Sequence, residues 1–209
     1  PGDADTSTPN DVPPVVEVTC QAYCDSIQTL CKSTATQYPD LISCLAFCEN
    51  GAGGWSTGTA TDLDGNSLGC RMARLAEIDP GDPKLSCGKA GPSGGNQCGA
   101  WCDVYCELAV GHCAEEENFF TSFEECKQAC GAFSTAGSPN DPYGDTVQCR
   151  ITHLVAATSG AETCADGAPD GGLNCTYTPP TCDQYCAAVQ THCPVGGPGE
   201  QFPSMEGRQ

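Results

Sequence analysis

The sequence predicts a mainly α-helical, disulfide-rich protein built from tandem eight-cysteine modules. Three observations lead there: a high cysteine density, a shortage of large apolar residues, and a cysteine spacing that repeats at helical intervals. The chain holds 19 cysteines in 209 residues, a density typical of disulfide scaffolds. Leu, Val, Ile and Phe together make only 30 of the 209 residues. A core that small needs covalent help, and each bridge contributes about 2–4 kcal/mol by constraining the unfolded chain.

The spacing supplies the organisation. One set runs Cys20, Cys24, Cys31, Cys44, Cys48, Cys70, Cys87, Cys98, and a second runs Cys102, Cys106, Cys113, Cys126, Cys130, Cys149, Cys164, Cys175. The gaps are 3, 6, 12, 3, 21, 16 and 10 residues in the first and 3, 6, 12, 3, 18, 14 and 10 in the second. A third set opens with Cys182, Cys186 and Cys193. Residues between the cysteines repeat as well. C-x-x-Y-C occurs with Tyr23, Tyr105 and Tyr185, and G-N-S-L-G-C-R from Gly65 matches G-D-T-V-Q-C-R from Gly144. A-G-P-S-G-G-N-Q-C from Ala90 matches G-A-P-D-G-G-L-N-C from Gly167. Repeats of this kind are read before anything else. They divide the chain into a Pro/Asp/Thr-rich spacer (1–18), a first module (19–98), a second (99–175) and an incomplete third (176–209). In the third, Arg208 stands where a cysteine is expected, and a longer natural chain is the favoured explanation.

Each module has the same helical elements. Cys20, Tyr23/Cys24, Ile27 and Leu30/Cys31 mark one face of a first helix. Thr19 is its N-cap, and Thr181 with Gln184 forms the capping box of the third copy. A second helix carries Leu41, Leu45, Cys44 and Cys48, and its counterpart opens at Ser122. Gly51 and Gly131 suit the helix ends. A short third helix follows Ser67 or Thr146 and carries Cys70 or Cys149, and a Gly/Pro-rich loop comes after it.

Cysteines four apart stand one helical turn apart, so antiparallel helices pair outer with outer and inner with inner. This predicts Cys20–Cys48, Cys24–Cys44, Cys102–Cys130 and Cys106–Cys126. Cys31 lies on the same stripe and is expected to reach Cys70, as Cys113 reaches Cys149. Cys87–Cys98 and Cys164–Cys175 then close the loops. Cys182, Cys186 and Cys193 are left without partners.

Two resemblances follow. The paired C-x3-C hairpin resembles the small chaperones of the mitochondrial intermembrane space. The whole module, from C-x-x-Y-C to A-G-P-S-G-G-N-Q-C, is similar to cysteine-rich repeats of predicted secreted or lipid-anchored proteins of myxobacteria-like bacteria. That resemblance implies a location and no activity.

Composition narrows the function. Bridges on this scale belong to the periplasm, cell surface or medium. No C-x2-C pair of the kind zinc sites favour is present. No run of about 20 apolar residues spans a membrane, and a lipid anchor upstream of Pro1 would use the spacer as a tether. The formal charge of −19 with eight Lys and Arg speaks against nucleic acid and anionic membranes. It leaves protein partners, self-assembly or cations.

The chain has no G-x-S-x-G, H-E-x-x-H, P-loop or C-x-x-C-H motif. His112 and His192 precede the third cysteine of their copies, where Leu30 stands in the first, and His153 matches Arg74. All three read as structural or surface residues. Glu115, Glu116 and Glu117 read as a solvated run, and Asn174-Cys175-Thr176 is a formal glycosylation sequon. Arg71 and Arg150 are expected to pair with carboxylates of their own module. No cofactor is expected. Calcium is the one metal the sequence offers, at Asp62, Asp64 and Asn66, although an Asx turn explains the same residues. The reading is a non-enzymatic extracellular or cell-surface structural or interaction subunit. Two alternatives are an accessory periplasmic subunit of a membrane or electron-transfer complex, and a secreted redox protein or enzyme using the third copy's cysteines.

Overall fold

A computed structural model describes residues 17–116 and 119–176. The spacer up to residue 16, Glu117, and the third copy with Thr181, Gln184, Tyr185, His192, Cys182, Cys186 and Cys193 lie outside the described residues. The described residues form seven α-helices and short 3-10 turns, with no named strand among them. None of these helices is long and apolar enough to cross a membrane.

Side-chain caps start most of the helices. Helix α1 (Cys20–Leu30) opens at Thr19, whose hydroxyl accepts the Ala22 N–H. Helix α2 (Leu41–Glu49) opens at Asp40, whose carboxylate accepts the Ser43 N–H at 2.7 Å. That bond holds the exposed Asp40 carboxyl below its ordinary pKa. Gly51 follows the end of α2 with φ +66°, the left-handed position glycine favours after a helix. Disulfides Cys20–Cys48 and Cys24–Cys44 join α1 to α2 as an antiparallel hairpin.

The second half repeats these steps. Helix α5 (Trp101–His112) and helix α6 (Phe123–Cys130) are joined by Cys102–Cys130 and Cys106–Cys126. Ser122 caps α6 by accepting the Glu125 N–H. Glu125 in turn accepts the Thr121 N–H and hydroxyl, one residue earlier than a standard capping box. Helix α3 (Leu68–Leu75) starts at Ser67 and helix α7 (Val147–Thr158) at Thr146. A single bridge precedes each. The Leu68 N–H donates to Ser56 O at 2.8 Å, and the Val147 N–H to Ser134 O at 2.9 Å.

The halves differ after the third helix. The first continues into helix α4 (Pro83–Ala90), where only a loop was expected. Asp82 caps it and Pro83 supplies the fixed φ suited to a first turn. The second half has a longer α7 and a 3-10 turn over Cys164–Gly167. Helix α7, at 12 residues, is not the short helix the sequence suggested.

Four bridges correct the expected pairing. The structure joins Cys31–Cys87, Cys70–Cys98, Cys113–Cys164 and Cys149–Cys175. It does not join Cys31–Cys70, Cys87–Cys98, Cys113–Cys149 or Cys164–Cys175. The reason is the path of the chain after the third helix. Helix α4 returns to α1 and the 3-10 turn at Ser33–Ala35, so Cys87 meets Cys31. Cys70 on α3 faces the terminal loop instead. The turn at Cys164 serves the same purpose in the second half. Each set is thereby tied from its last loop back to its first helix.

Both halves feed one buried cluster, which includes Tyr23, Ile27, Phe47, Leu68, Val104, Tyr105, Leu108 and Ile151. The junction is close. The Trp101 N–H donates to Asn96 Oδ1 at 3.2 Å, and His112 Nε2 donates to Ala52 O at 3.1 Å. Lys84 pairs with Asp141 at 2.9 Å. At Gly88 an added Cβ would lie 2.3 Å from the Pro139 side chain, so only glycine permits this approach.

Candidate functional site: an apolar cleft between the halves

The side chains that could carry chemistry are best located first. Arg71 is 0% exposed. Its Nε donates to Gly91 O at 3.1 Å, Nη1 to Ser67 O at 3.1 Å, and Nη2 to Asn66 Oδ1 at 2.9 Å and Pro92 O at 3.1 Å. The guanidinium lies over Trp55, 4.0 Å from the ring centroid. Burial lowers its pKa to about 10, opposed by Tyr23 and Tyr38, so it remains a cation at neutral pH. Arg150 has the same arrangement. It donates to Ala168 O, Thr146 O and Pro169 O, lies over Phe133 at 4.3 Å, and pairs with Asp145 at 2.9 Å. The expectation of a carboxylate partner thus holds for Arg150 and fails for Arg71, where Asn66 occupies the matching position.

The tyrosines of C-x-x-Y-C reinforce the arginines. The Tyr23 hydroxyl donates to Ala90 O at 2.8 Å, and the Tyr105 hydroxyl to Gly167 O at 3.0 Å. Burial pushes both hydroxyls far above their ordinary pKa. Tyrosine and arginine together clamp each terminal loop onto its hairpin. They are closed inside the protein and offer nothing to a substrate.

The Asp62–Asn66 turn is engaged by its own neighbours. Asp62 accepts from the Thr59 N–H and hydroxyl and from the Ser67 hydroxyl, and these bonds lower its pKa. Asn66 Oδ1 holds Arg71, while Nδ2 donates to Gly53 O at 2.9 Å. A cation at Asn66 Oδ1 would face a guanidinium, which opposes binding there. These bonds build the entry to α3, and none of them is the bond to the N–H two residues on that defines an Asx turn. Asp64 makes no part of that network.

One further cluster has metal-ligand chemistry in outline: Cys149, His153 and Cys175. Its two sulfurs form a disulfide, so neither is a thiolate ligand. His153 Nε2 donates to Pro142 O at 3.0 Å, and Nδ1 meets Glu162 at 2.6 Å. Arg74, its counterpart, donates to Leu63 O and pairs with Glu77. In both halves a side chain on the third helix thus fastens the preceding loop.

Among the described residues, an apolar concavity of about 190 Å³ lies between the halves. One wall comes from residues 36–47, including Tyr38, Pro39, Ser43 and Phe47, with Pro92 and Ser93 beside them. The other comes from Asn140 and from Ile151, Thr152, Val155 and Ala156 of α7 and residues just beyond it. No Asp, Glu, Lys, Arg or His lines it. Most of its hydroxyls bond to local backbone. Thr36 donates to Ser33 O, Ser93 to Gly88 O, Thr152 to Gln148 O, Thr158 to Val155 O and Ser159 to Ala156 O. Tyr38 shares a hydrogen bond with Tyr23 at 3.2 Å, and burial raises its pKa well above the ordinary value.

Two lining residues have unmet hydrogen-bonding capacity. Gln37 Oε1 and Asn140 Nδ2 are buried with no partner among the described residues. Gln37, only 8% exposed, uses its amide nitrogen on Ala35 O. Asn140 holds its backbone at φ +63°. With no acid–base pair and no activated nucleophile in its lining, the cleft is suited to contact. It fits an apolar side chain or short segment. Sequence reasoning missed it because its walls come from segments about 50 to 120 positions apart.

Against known proteins, the family model for the BfoA family C-terminal domain matches residues 4–100. That match spans the first cysteine set and less than half of the chain. No curated protein and no solved structure matches.

Proposed function

We propose that this chain is a non-enzymatic protein of the cell surface, extracellular space or periplasm, acting as a structural or interaction subunit of a larger assembly. One observation carries the reading. All sixteen described cysteines are in eight disulfides, so the fold is built for an oxidising compartment. The buried arginines, tyrosines and His153 add to it, because they fasten loops and face no open site. The resemblance to cysteine-rich repeats of secreted and lipid-anchored bacterial proteins supports the same location. The tandem modules and a lipid tether upstream of Pro1 belong to this proposal.

The test is the size of the protein in its native envelope. It is extracted without reductant, with free thiols blocked beforehand, and sized by gel filtration and cross-linking. The expected result is a particle far larger than the 21.6 kDa of the chain. Recovery as a soluble monomer would remove the subunit reading.

A further inference from the structure

We propose that His153 and Glu162 form a latch that holds one wall of the cleft and is released as pH rises. The inference stands apart from the proposed function, since it concerns how the fold answers to its medium.

The first argument is a count of protons. His153 is buried on α7, and each of its ring nitrogens has a partner. Nε2 meets the Pro142 carbonyl at 3.0 Å, and Nδ1 meets the Glu162 carboxylate at 2.6 Å. A carbonyl oxygen only accepts, so Nε2 carries a proton. Nδ1 and a carboxylate oxygen at that distance need a second proton between them, whichever of the two holds it. A neutral imidazole beside an ionised carboxylate supplies only one. When the second proton leaves to solvent, two lone pairs face each other at Glu162. Exchanging the tautomer moves the same conflict to Pro142. One of the two contacts is lost either way.

The second argument is placement. Pro142 and Glu162 lie in the segments before and after α7. Both segments line the cleft, through Asn140 on one side and Ser159 and Ala161 on the other. The ring therefore ties two stretches of one wall to the helix between them. A proton held by the folded pair stabilises that arrangement while it is bound, and the contribution is lost as pH rises.

The surroundings leave the proton to this pair. The Cys149–Cys175 disulfide beside the ring carries no charge. Asp166 of the 3-10 turn feels the imidazolium charge and favours the protonated form. Arg150, one turn earlier on α7, is paired with Asp145, and Asp141 is paired with Lys84. Tyr143, next to Pro142, is exposed. The first half makes the same tie with Arg74, which holds Leu63 O and Glu77. A guanidinium keeps its donors where an imidazole gives one up, so the response is confined to the second half.

The experiment is amide hydrogen exchange of the full chain at pH 6 and pH 9, unreduced and with free thiols blocked. Rates are corrected for the intrinsic effect of pH. Segments 138–145 and 159–163 are expected to exchange at least about threefold faster at pH 9, while residues 61–65, held by Arg74, do not change. In a Glu162→Gln variant the amide donates to a bare Nδ1, so a neutral imidazole satisfies both partners and the rise disappears. The Glu162 side chain is 43% exposed, so this variant keeps the fold. No rise in the parent overturns the proposal. An equal rise in Glu162→Gln, or in residues 61–65 of the parent, also overturns it, by assigning the loosening to the charge of the whole protein.

Discussion

The two arginine clamps differ in one partner, and that difference shows how each half is balanced. Arg150 sits beside Asp145, whose side chain is 70% exposed, so its charge is neutralised at the edge of the fold. Arg71 has no carboxylate partner among the described residues. It is held by three backbone carbonyls, the Asn66 amide oxygen and the face of Trp55. The reason lies in the longer Cys48–Cys70 gap of the first half. That segment brings Gly53 O to Asn66 Nδ2, a contact that needs an amide donor. It also presents Ala52 O to His112 of the second half. The first half gives up a charge partner for Arg71 and gains a junction. Carbonyl dipoles and an aromatic face replace the missing carboxylate.

The largest test of this comparison is to remove each arginine. Arg71→Ala should cost about 3–5 kcal/mol, because fully buried carbonyls lose their donor. Arg150→Ala should cost about 2–3 kcal/mol, since its clamp lies nearer solvent. Non-reducing denaturant titration measures both. Equal losses would mean that depth of burial does not set the difference.

Exchanging the partners comes next. Asn66→Asp should destabilise by about 1 kcal/mol, because a carboxylate facing Gly53 O offsets its attraction to Arg71. Asp145→Asn should cost under about 1 kcal/mol, as exposed charges are screened. A stabilising Asn66→Asp would show that Arg71 lacks only a counter-charge.

A smaller effect separates the terminal loops by pH. Burial tends to raise the Asp166 carboxyl, but the N–H groups of Asn174 and Leu173, with His153 nearby, outweigh it and lower the pKa below 3.8. A lowered carboxyl contributes stability above its unfolded pKa and loses it as pH falls through the folded value. The contribution is at most about 1 kcal/mol at so exposed a group. Lys89 holds the corresponding place in the first half. Amide exchange at pH 3 against pH 6 should therefore loosen residues 166–175 and leave 89–98 unchanged. The smallest expectation is at the Asp62–Asn66 turn, where added calcium should shift Tm by less than about 1 °C, its oxygens already being hydrogen-bonded.

The hairpins were legible in the sequence because C-x3-C fixes two sulfurs on one helical face, and the four hairpin bridges follow from that geometry. The remaining four were paired with the nearest candidate, which assumed that a Gly/Pro-rich stretch stays local. Helix α4 defeated that assumption. Asp82-Pro83 signalled its start, yet Pro83–Ala90 has no apolar stripe to mark it. The clamps are half visible: Arg71 and Arg150 stand out by position, but the sequence offers Asn66 only as an Asx-turn residue or a calcium ligand, whereas it serves as an acceptor for Arg71. The cleft was invisible, because no local pattern records a surface shared between distant segments.

The bridges from the last loop to the first helix also govern how the chain bears a pull. Tension applied at Cys20 and Cys98 can travel through Cys31–Cys87 or through Cys20–Cys48 and Cys70–Cys98. Either route leaves about 22 residues of slack, roughly 75 Å when taut, against roughly 260 Å for the same stretch without bridges. With Cys31–Cys70 and Cys87–Cys98 instead, the shortest route would have left about 28 residues, roughly 95 Å when taut. Even fully unravelled, the first half extends to less than about a third of its unbridged length.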